Sequence, residues 1–324
     1  MTPRAQVVVI GSFNVDHVWA VAALPRPGET LSGHYHSGPG GKGFNQATAA
    51  ARAGADTGFV CALGDDSGGQ LARALASADG IDLRDQASTA PTGTAGIYVD
   101  AGGRNSIVIG PGANATLTPQ FVDQQAASFA AADVVLGQLE SPIDAVRAAF
   151  GQARRAGVMT LLNPAPADAI APAELLSLAD VITPNETEFC AQLAIHQGEQ
   201  LAADTLAALD DAHLHASCRR LLPHGTVVIT LGAAGCLVSH AESNLRGDAR
   251  PFYRLEAAPV LAVDTTGAGD AFNGALAASL ANAPGLRFLD HARFANRYAA
   301  LSTERPGASA AMPRREDVLA RFGA

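Results

Sequence analysis

Short apolar runs alternate with Ala-rich stretches along most of this chain. The runs QVVVIG (6–11), TGFVCALG (57–64) and TVVITLG (226–232) have the length and β-branched content of buried strands. The stretches GFNQATAAARAG (43–54) and SGGQLARALASADG (67–80) have the composition of helices that end at glycines. This alternation predicts a three-layer αβα fold, in which helices cover both faces of a central, mostly parallel sheet.

Two stretches interrupt the alternation of strands and helices. Residues 15–40 and 93–111 alternate apolar and polar positions between Gly and Pro turns, which predicts antiparallel hairpins. We expect the two hairpins to form one small sheet that acts as a lid at the ligand edge of the main sheet. The alternative is that they only patch the edge of the core. With the lid inserted, residues 1–324 are predicted to form a single domain.

Composition then narrows the class of protein. The net charge of −9 argues against a nucleic-acid binder, because phosphate backbones are bound by clustered Lys and Arg. The four cysteines lie far apart and form no CxxC pair, which argues against a zinc site or a redox pair. The apolar run near the start is too short for a signal peptide or a membrane span. We therefore expect a cytoplasmic protein without membrane or nucleic-acid partners.

The segment APVLAVDTTGAGDAFNGALAASLA (258–281) predicts a strand, a turn and a helix. Gly267, Ala268 and Gly269 would leave backbone N–H groups free at the helix N-terminus, where an anion is favoured. Asp270 follows directly, and two interpretations of it remain open. It is either an ordinary helix cap or a general base beside a transferred phosphoryl group.

Several polar groups follow other predicted strands and suit a polyol ligand. GPGGKGFN lacks the Ser or Thr of a P-loop, and GSFNVD lacks the glycines of a dinucleotide-binding turn. The glycines of GGKGFN would instead let the backbone approach a ligand closely. The polyol-binding candidates are Asn14, Asp16, Gly41, Lys42, Asn45 and Glu140.

The segment ITPNETEF (182–189) predicts the start of another helix. Thr183 and Glu186 have the spacing of a capping box. Asn185 and Glu188 would share one helix face, from which they could hold a water bound to Mg²⁺. After the strand at 226–232, the candidates for nucleotide binding are Thr230, Gly232 and Gly235.

These motifs, in this order, resemble those of the ribokinase-like (PfkB) carbohydrate kinases, and the ribose-phosphorylating members most closely. The resemblance runs nearly from end to end. It implies the αβα fold with a β-sheet lid, and homodimers that form through the lid. It also implies ATP-dependent phosphorylation of the 5-hydroxyl of D-ribose. The motifs that carry it are GSFNVDH, PRPGET, GGKGFNQA, GANA, QLESP, NPAPA, ITPNETE, ITLGAAG and DTTGAGDAFNGA.

The resemblance also implies a role for individual residues. Asp270 matches the catalytic base, beside an anion hole at 267–270, and Gly269 also matches a nucleotide contact. Asn296 matches an adenine-side contact, and Glu188 matches a Mg²⁺ position that acts through water. The residues that match a monovalent-cation (K⁺) site are Asp264, Thr266, Ser302, Arg305, Gly307 and Ala311.

The chain departs from the family pattern at two places. The loop at 301–313 is one residue longer, and Ala311 stands where members often have serine. Phe44 replaces the usual alanine, so that a ring near the sugar would reshape the pocket. The alternatives are therefore a kinase of another small sugar or of a nucleoside, such as 2-deoxyribose or a purine nucleoside, or a sugar sensor without catalysis.

Overall fold

The computed structural model of the chain describes residues 6–323. Within this range the strands, in chain order, are β1 (Val7–Ile10), β2 (Asn14–Val21), β3 (His34–Gly40), β4 (Thr57–Gly64), β5 (Asp82–Ser88), β6 (Gly93–Asp100), β7 (Asn105–Gly110), β8 (Val134–Gly137), β9 (Met159–Leu162), β10 (Val181–Ile182), β11 (Thr226–Thr230), β12 (Cys236–Ser239) and β13 (Phe252–Leu255). They form two separate sheets, of nine and four strands.

The α-helices of the same range lie mainly between the strands of the larger sheet. In chain order they are α1 (Lys42–Arg52), α2 (Ser67–Ala78), α3 (Pro119–Gln124), α4 (Ala126–Ala131), α5 (Ile143–Arg155), α6 (Ala173–Leu178), α7 (Glu186–Gln197), α8 (Asp211–Leu221), α9 (Ala268–Asn282), α10 (Phe288–Ser302) and α11 (Arg315–Phe322). A search of residues 6–323 finds no helix with the length and hydropathy to span a bilayer.

The larger sheet has the spatial order β13-β12-β11-β10-β9-β8-β1-β4-β5. All pairs from β11 to β5 are parallel, whereas β12 and β13 pair antiparallel at one edge. Because parallel strands require crossover connections, helices are carried back across the faces of this sheet. The predicted mostly parallel central sheet is confirmed.

Each face of the larger sheet is covered by its own apolar core, because successive side chains of a strand point to opposite faces. Val7 and Val9 of β1 pack in the cluster that contains α1, α9 and α10. Val8 and Ile10 pack in the cluster on the other face, with α5, α7 and α8. The sheet is therefore the middle of three layers, as the sequence predicts.

The smaller sheet has the order β3-β2-β6-β7 and is called the lid here. β2 pairs antiparallel with β3, and β6 pairs antiparallel with β7, which confirms both predicted hairpins. β2 and β6 pair in parallel and join the hairpins into one sheet, with Asn14 and Asp16 at the start of β2. The lid is thus rooted directly next to β1 of the larger sheet.

One prediction about strands is wrong, and one strand was not predicted. Residues 257–263 form no strand, because the amides of Val263 and Asp264 both donate to the carbonyl oxygen of Thr303 at the end of α10. Leu261 and Val263 are consequently exposed despite their hydrophobicity. The strand β5 was not expected, since its sequence DLRDQAS is largely polar, which an edge position permits.

The helices α1 and α9 cross at a glycine. A Cβ atom on Gly274 of α9 would lie 2.4 Å from the carbonyl oxygen of Gln46 and 2.5 Å from the Cβ atom of Ala49, both in α1. Real Cβ atoms do not approach other atoms so closely, so the crossing requires glycine. The same helices carry Asn45 and Asp270, and the crossing therefore sets the distance between candidate site residues.

We expect Gly274→Ala to destabilise the fold by about 1–3 kcal/mol, because the added methyl group forces the two helices apart. Gly151→Ala is the matched control, since a Cβ atom there has the Arg155 side chain at 3.6 Å as its nearest neighbour. In the interior of α5 that change should instead stabilise by about 0.5–1 kcal/mol. Urea unfolding of both variants measures the difference, and equal effects would contradict the crossing constraint.

Candidate active site

A polar cleft of about 160 Å³ lies at the carboxyl ends of β9, β10 and β11. This is the edge of a parallel α/β sheet at which ligands bind. Asn163, Thr183 and Thr230 reach the cleft from the ends of these strands, and α1, α7 and α9 enter it with their N-terminal turns. The complete lining is Lys42, Asn163, Ala165, Thr183, Asn185, Glu188, Thr230, Thr265, Gly267, Ala268, Gly269, Asp270 and Asn273.

The first turn of α9 forms one wall of the cleft. Gly267 is the N-cap, and its φ of 74° is in the left-handed region. A Cβ atom on Gly267 would lie 2.9 Å from the Cβ atom of Ala308, so both its conformation and its neighbour favour glycine. The backbone N–H groups of 267–269 lie at the N-terminus of the helix, a setting that favours an anion, although that of Ala268 also donates to the carbonyl oxygen of Thr265 at 3.2 Å.

Asp270 is not a helix cap. The N-cap is Gly267, and no side-chain capping bond is made at this helix. Asn45 Nδ2 donates to Asp270 Oδ2 and Gln46 Nε2 donates to Asp270 Oδ1, each at 2.9 Å. Of the two interpretations left open by the sequence, the structural cap is therefore wrong.

The carboxylate of Asp270 is buried, and its surroundings act on its pKa in opposite directions. Burial raises the pKa of Asp270, whereas the charge of Lys42 and the bonds from Gln46 and Asn45 lower it. The net pKa lies above the ordinary value for aspartate. A carboxylate in this position is held in place and is prepared to accept a proton.

Lys42 is the positive charge among these carboxylates. Burial by itself lowers the pKa of Lys42, but the charges of Asp270, Glu140 and Glu188 raise it to a net value above the ordinary one. The backbone N–H of Lys42 donates to Glu140 Oε2 at 2.9 Å, and Ser12 Oγ donates to the same oxygen at 2.6 Å. Lys42 and Glu140 are thus brought together, as the sequence predicts.

Asp16 reaches the same region from the lid. A Cβ atom on Gly40 would lie 2.1 Å from Asp16 Oδ2, so the carboxylate lies directly over this glycine. Burial raises the pKa of Asp16 to about 6, and the charges of Glu140 and Asp270 add to this effect. Asn14, two residues earlier, accepts a bond from Asn114 Nδ2 at 2.8 Å and is buried.

Gly41 shapes the entry to α1. Its φ is 86°, and a Cβ atom there would come within 3 Å of the backbone of Ser12, Phe13 and Asn14. Glycine is therefore needed for both the backbone conformation and the close approach of α1 to the end of β1. This approach brings Lys42 and Asn45 next to Asp270 and Glu140.

The predicted capping box of α7 is displaced by two residues. Asn185, not Thr183, is the N-cap, and its side chain accepts a bond from the N–H of Glu188. Glu188 in turn accepts from the backbone N–H of Asn185, which completes the capping box. The Thr183 hydroxyl instead donates to Asn273 Oδ1 across to α9. Asn185 is preferred because its short amide reaches the third residue of the helix.

Asn185 and Glu188 nevertheless line the cleft, and Glu188 is buried. Burial raises the pKa of Glu188 to about 7, although the bond from Asn185 and the charge of Lys42 oppose the shift. Their oxygen atoms suit a hard cation that keeps its own water molecules. Among residues 6–323, however, no group of three or more His, Cys, Asp or Glu side chains could hold a metal by itself.

The remaining nucleotide candidates do not all lie in the cleft that contains Asp270. Thr230 lines the cleft, whereas Gly232 and Gly235, with φ of 52° and 87°, form the turn between β11 and β12. Asn296 lies on α10 in a second cleft of about 400 Å³, where its Nδ2 donates to the carbonyl oxygen of Glu256. The predicted nucleotide contacts therefore lie in two clefts and in the turn between β11 and β12.

The two segments of the candidate cation site lie side by side. Asp264 accepts a bond from the N–H of Thr266 at 2.9 Å and another from the N–H of Gly307 at 2.8 Å. Burial raises the pKa of Asp264, but the bonds from Thr266 and Gly307 lower it by more. The net pKa of Asp264 therefore lies below the ordinary value. Ser302 Oγ donates to the carbonyl oxygen of Ala299, one turn earlier in α10. Ala311 is buried and Arg305 is exposed.

Phe44 does not reach the pocket. Its ring is buried in the core, where it meets Phe13 edge-on at 5.1 Å between centroids and Phe59 at 6.0 Å. The expectation that it reshapes the sugar pocket is therefore wrong, because this position of α1 faces the core on the side of the sheet that α9 also covers.

Sequence reasoning missed three amides that contact the cleft or its base. Gln46, Asn163 and Asn273 are buried, and each bonds to another residue of the site. The available signal was a long amide side chain within a run of small, apolar residues, as at Gln46 in GFNQATAAA. A buried amide in such a run needs polar partners, and these came from other elements.

Comparison with known proteins identifies the family and the fold. The model of the pfkB family carbohydrate kinases matches residues 4–315. The ribokinase of Haemophilus influenzae is 39% identical over 320 residues, which cover 98% of each chain. The solved ribokinase of Giardia lamblia has a TM-score of 0.84 and 31% identity, covering 99% of this chain and all of its own.

A solved structure of Arabidopsis thaliana ribokinase, complexed with ribose and ATP, is also similar. Its TM-score is 0.83 and its sequence identity is 30%, with 98% of each chain covered. The similarity therefore extends over both the larger sheet and the lid.

The burial of Asp16 predicts that the stability of the fold depends on pH. Its pKa is higher in the folded than in the unfolded chain, so the stability that it contributes is present at low pH and is lost as the pH rises through about 6. At pH 8, Asp16→Asn should therefore be more stable than wild type by on the order of 1–2 kcal/mol, and this gain should vanish below pH ~4.

Thermal or urea unfolding at a series of pH values measures this effect. Asp168→Asn, the same substitution at an exposed carboxylate, serves as the control and should change stability little. An Asp16→Asn effect that does not depend on pH would contradict the assigned cause.

Proposed function

The chain belongs to the pfkB family of carbohydrate kinases, and we propose that it transfers the γ-phosphoryl group of ATP to the 5-hydroxyl of D-ribose. The observation that carries this proposal is the position of Asp270. It is a buried carboxylate in the first turn of α9, bonded by two amides of α1, beside the helix N-terminus at 267–269. The relatives described as ribokinases support ribose as the substrate.

In the proposed reaction, Asp270 accepts the proton of the sugar hydroxyl as the oxygen attacks the γ-phosphorus atom. The bond from this phosphorus to the bridging oxygen breaks, and ADP leaves. The N–H groups at 267–269 stabilise the charge on the transferred group, because they are already oriented when the reaction begins. The lid excludes water, which would otherwise take the phosphoryl group.

The proposed sugar site lies between the lid and α1. Asn45 uses its N–H group on Asp270, and its Oδ1 is buried with no hydrogen-bond partner among the described residues. Such an oxygen is costly unless a ligand hydroxyl bonds to it. Asn14, Asp16, Gly41, Lys42 and Glu140 would supply the other polyol contacts.

The proposed nucleotide side extends from the first cleft to the second. Asn185, Thr230, Gly232, Gly235 and Gly269 would contact the phosphates and ribose of ATP, and Asn296 would contact the adenine. Asn185 and Glu188 would hold hydrated Mg²⁺, which neutralises phosphate charge when it is bound.

The proposed K⁺ site would use the paired segments around Asp264 and Gly307. Asp264 would remain ionised there, since its pKa is lowered. Thr266, Ser302, Arg305, Gly307 and Ala311 would contribute backbone or hydroxyl oxygen atoms. The contact of Ala308 with Gly267 would link this site to the anion-binding turn.

A panel of sugars and nucleosides with ATP tests the proposed substrate. We expect ADP release to be highest with D-ribose and to increase when K⁺ is added. Preference for 2-deoxyribose or a purine nucleoside would move the assignment to the alternative kinases. Binding of ribose without any ADP release would favour the sugar sensor.

Asp270→Asn tests the catalytic base. Because the amide cannot accept the proton, kcat should fall by roughly 10³-fold, while ribose binding measured by calorimetry should survive. Asp168→Asn, at an exposed carboxylate that does not line the cleft, should leave kcat unchanged. Turnover close to wild type in the Asp270 variant would disprove the assigned role.

We also propose that the lid forms a homodimer. Val18, Ile97 and Ile107 are cross-strand neighbours, and they share the lid face of Asp16 because side chains alternate along each strand. Ile107 is 51% exposed and Ile109 is 46% exposed, which leaves an uncovered apolar surface on this face.

If the lid forms the dimer, substitutions at two neighbouring residues of β7 should affect the oligomeric state differently. Ile107→Asp should give monomers in sedimentation experiments, since it places a charge in the proposed interface. Ser106→Asp puts the same charge on the opposite lid face and should leave the dimer intact. Identical sedimentation of both variants would contradict this interface.

A further inference from the structure

A chain of buried amides lies beneath Asp270. Gln46 Nε2 donates both to Asp270 Oδ1 at 2.9 Å and to Asn163 Oδ1 at 3.0 Å. Gln46 Oε1 accepts from Gln138 Nε2 at 2.6 Å. Gln46 and Gln138 are fully buried, and Gln138 is absent from the lining of the cleft.

The partners of Gln46 fix the orientation of its amide. Asn163 Nδ2 donates to the carbonyl oxygen of Thr183, so Asn163 presents its oxygen to Gln46. Gln138 presents its N–H group to the oxygen of Gln46. If the Gln46 amide were reversed, its oxygen would face two acceptors, one of them the Asp270 carboxylate, and three bonds would be lost.

We propose that Gln46 is a positioning residue for phosphoryl transfer, whose amide, oriented by Gln138 and Asn163, fixes the plane of the Asp270 carboxylate and keeps it ionised. This inference rests on the proposed function for its catalytic consequence. The geometry of the carboxylate and its amide partners stands independently of that function.

The need for such a residue follows from the charges around Asp270. Asp16, Glu140 and Glu188 all lie near enough to interact with Asp270, Lys42 or each other, and Lys42 is the positive group that faces Asp270. Burial and the nearby acids favour a protonated Asp270, which could not accept the proton of a substrate. A hydrogen bond donated by an amide favours the ionised form.

The two amide partners of Asp270 have different further connections. Asn45 bonds to Oδ2 through Nδ2, and its remaining oxygen is free for a ligand. Gln46 bonds to Oδ1, and its other hydrogen-bonding groups are occupied by Gln138 and Asn163. All of the hydrogen bonds of Gln46 are therefore made to other residues of the protein. This is expected of a group that positions a base and does not bind the sugar.

Gln46→Met tests the proposal, because it keeps the length and burial of the side chain but removes the donor. We expect kcat to fall on the order of tenfold or more at neutral pH, with little change in the KM for ribose. The acidic limb of the kcat profile should move to higher pH, because the pKa of Asp270 rises when this donor is lost.

Gln192→Met is the matched control. Gln192 is also fully buried, in α7, but it bonds to the carbonyl oxygen of Ala169 and does not contact Asp270. A purely structural role for Gln46 would lower stability in both variants without moving the pH profile. An unchanged pH limb in Gln46→Met, or an equal shift in Gln192→Met, would overturn the proposal.

Gln138→Met provides a second route if Gln46→Met fails to fold. It leaves Gln46 in place but removes the group that orients its amide, so the pH limb should move in the same direction by a smaller amount. If neither the limb nor kcat changes in this variant while Gln46→Met cannot be folded, the proposed amide chain has no role in positioning Asp270.

A titration of Asp270 separates this inference from the proposed function. With ¹³C-labelled aspartate, the carboxyl signal absent from Asp270→Asn identifies Asp270 in the NMR spectrum. In a variant of Gln46 or Gln138, this signal should titrate at higher pH than in wild type, whether or not ribose is phosphorylated. A wild-type chain without ribose-dependent ADP formation would refute only the proposal that it phosphorylates ribose, and an unmoved titration would refute the role of Gln46.

Discussion

The site depends on the contact between α1 and α9, which holds a buried carboxylate against two amides. Gly274 allows the two helix backbones to approach, and Asn45 and Gln46 then reach Asp270. A charged carboxylate buried without partners would be protonated or would disrupt the core. Here the amide partners come from the helix that also supplies Lys42. The same packing contact that stabilises one layer of the fold therefore fixes the geometry of the candidate base.

The acids that cluster at this edge of the sheet indicate a functional site, because they do not stabilise the fold. Burial raises the pKa of Asp16 to about 6 and that of Glu188 to about 7, and both acids lie near the charge of Asp270. Carboxylates in such positions destabilise the folded state at neutral pH. They are tolerated because the surrounding elements are well packed, with large side chains such as Phe13 and Phe44 fully within the core. The stability of the scaffold offsets strain that is localised at the site.

The corrections to the sequence predictions have different structural causes. The apolar segment before Asp264 follows the end of α10 instead of joining the sheet, since its amides bind to Thr303. The capping box of α7 forms at Asn185 and Glu188 because the helix begins two residues later than the Thr-Pro signal indicates. Phe44 turns into the core although its neighbours Lys42 and Asn45 face the site. The first and third outcomes were decided by partners distant in sequence, whereas the capping box joins two residues that are three positions apart.

The sequence by itself determined the αβα fold, the two hairpins of the lid and most of the polar groups around Asp270. Strand and helix periodicities and glycine turns are local properties, and the ends of parallel strands must meet at one edge of the sheet. The tertiary structure alone decided whether Asp270 was a cap or a held carboxylate, and which amides hold it. Those answers depend on pairs such as Gln46 with Asp270 and Gln138 with Gln46, which are separated by 224 and 92 residues. Only packing brings such groups within hydrogen-bonding distance, and no local pattern encodes that distance.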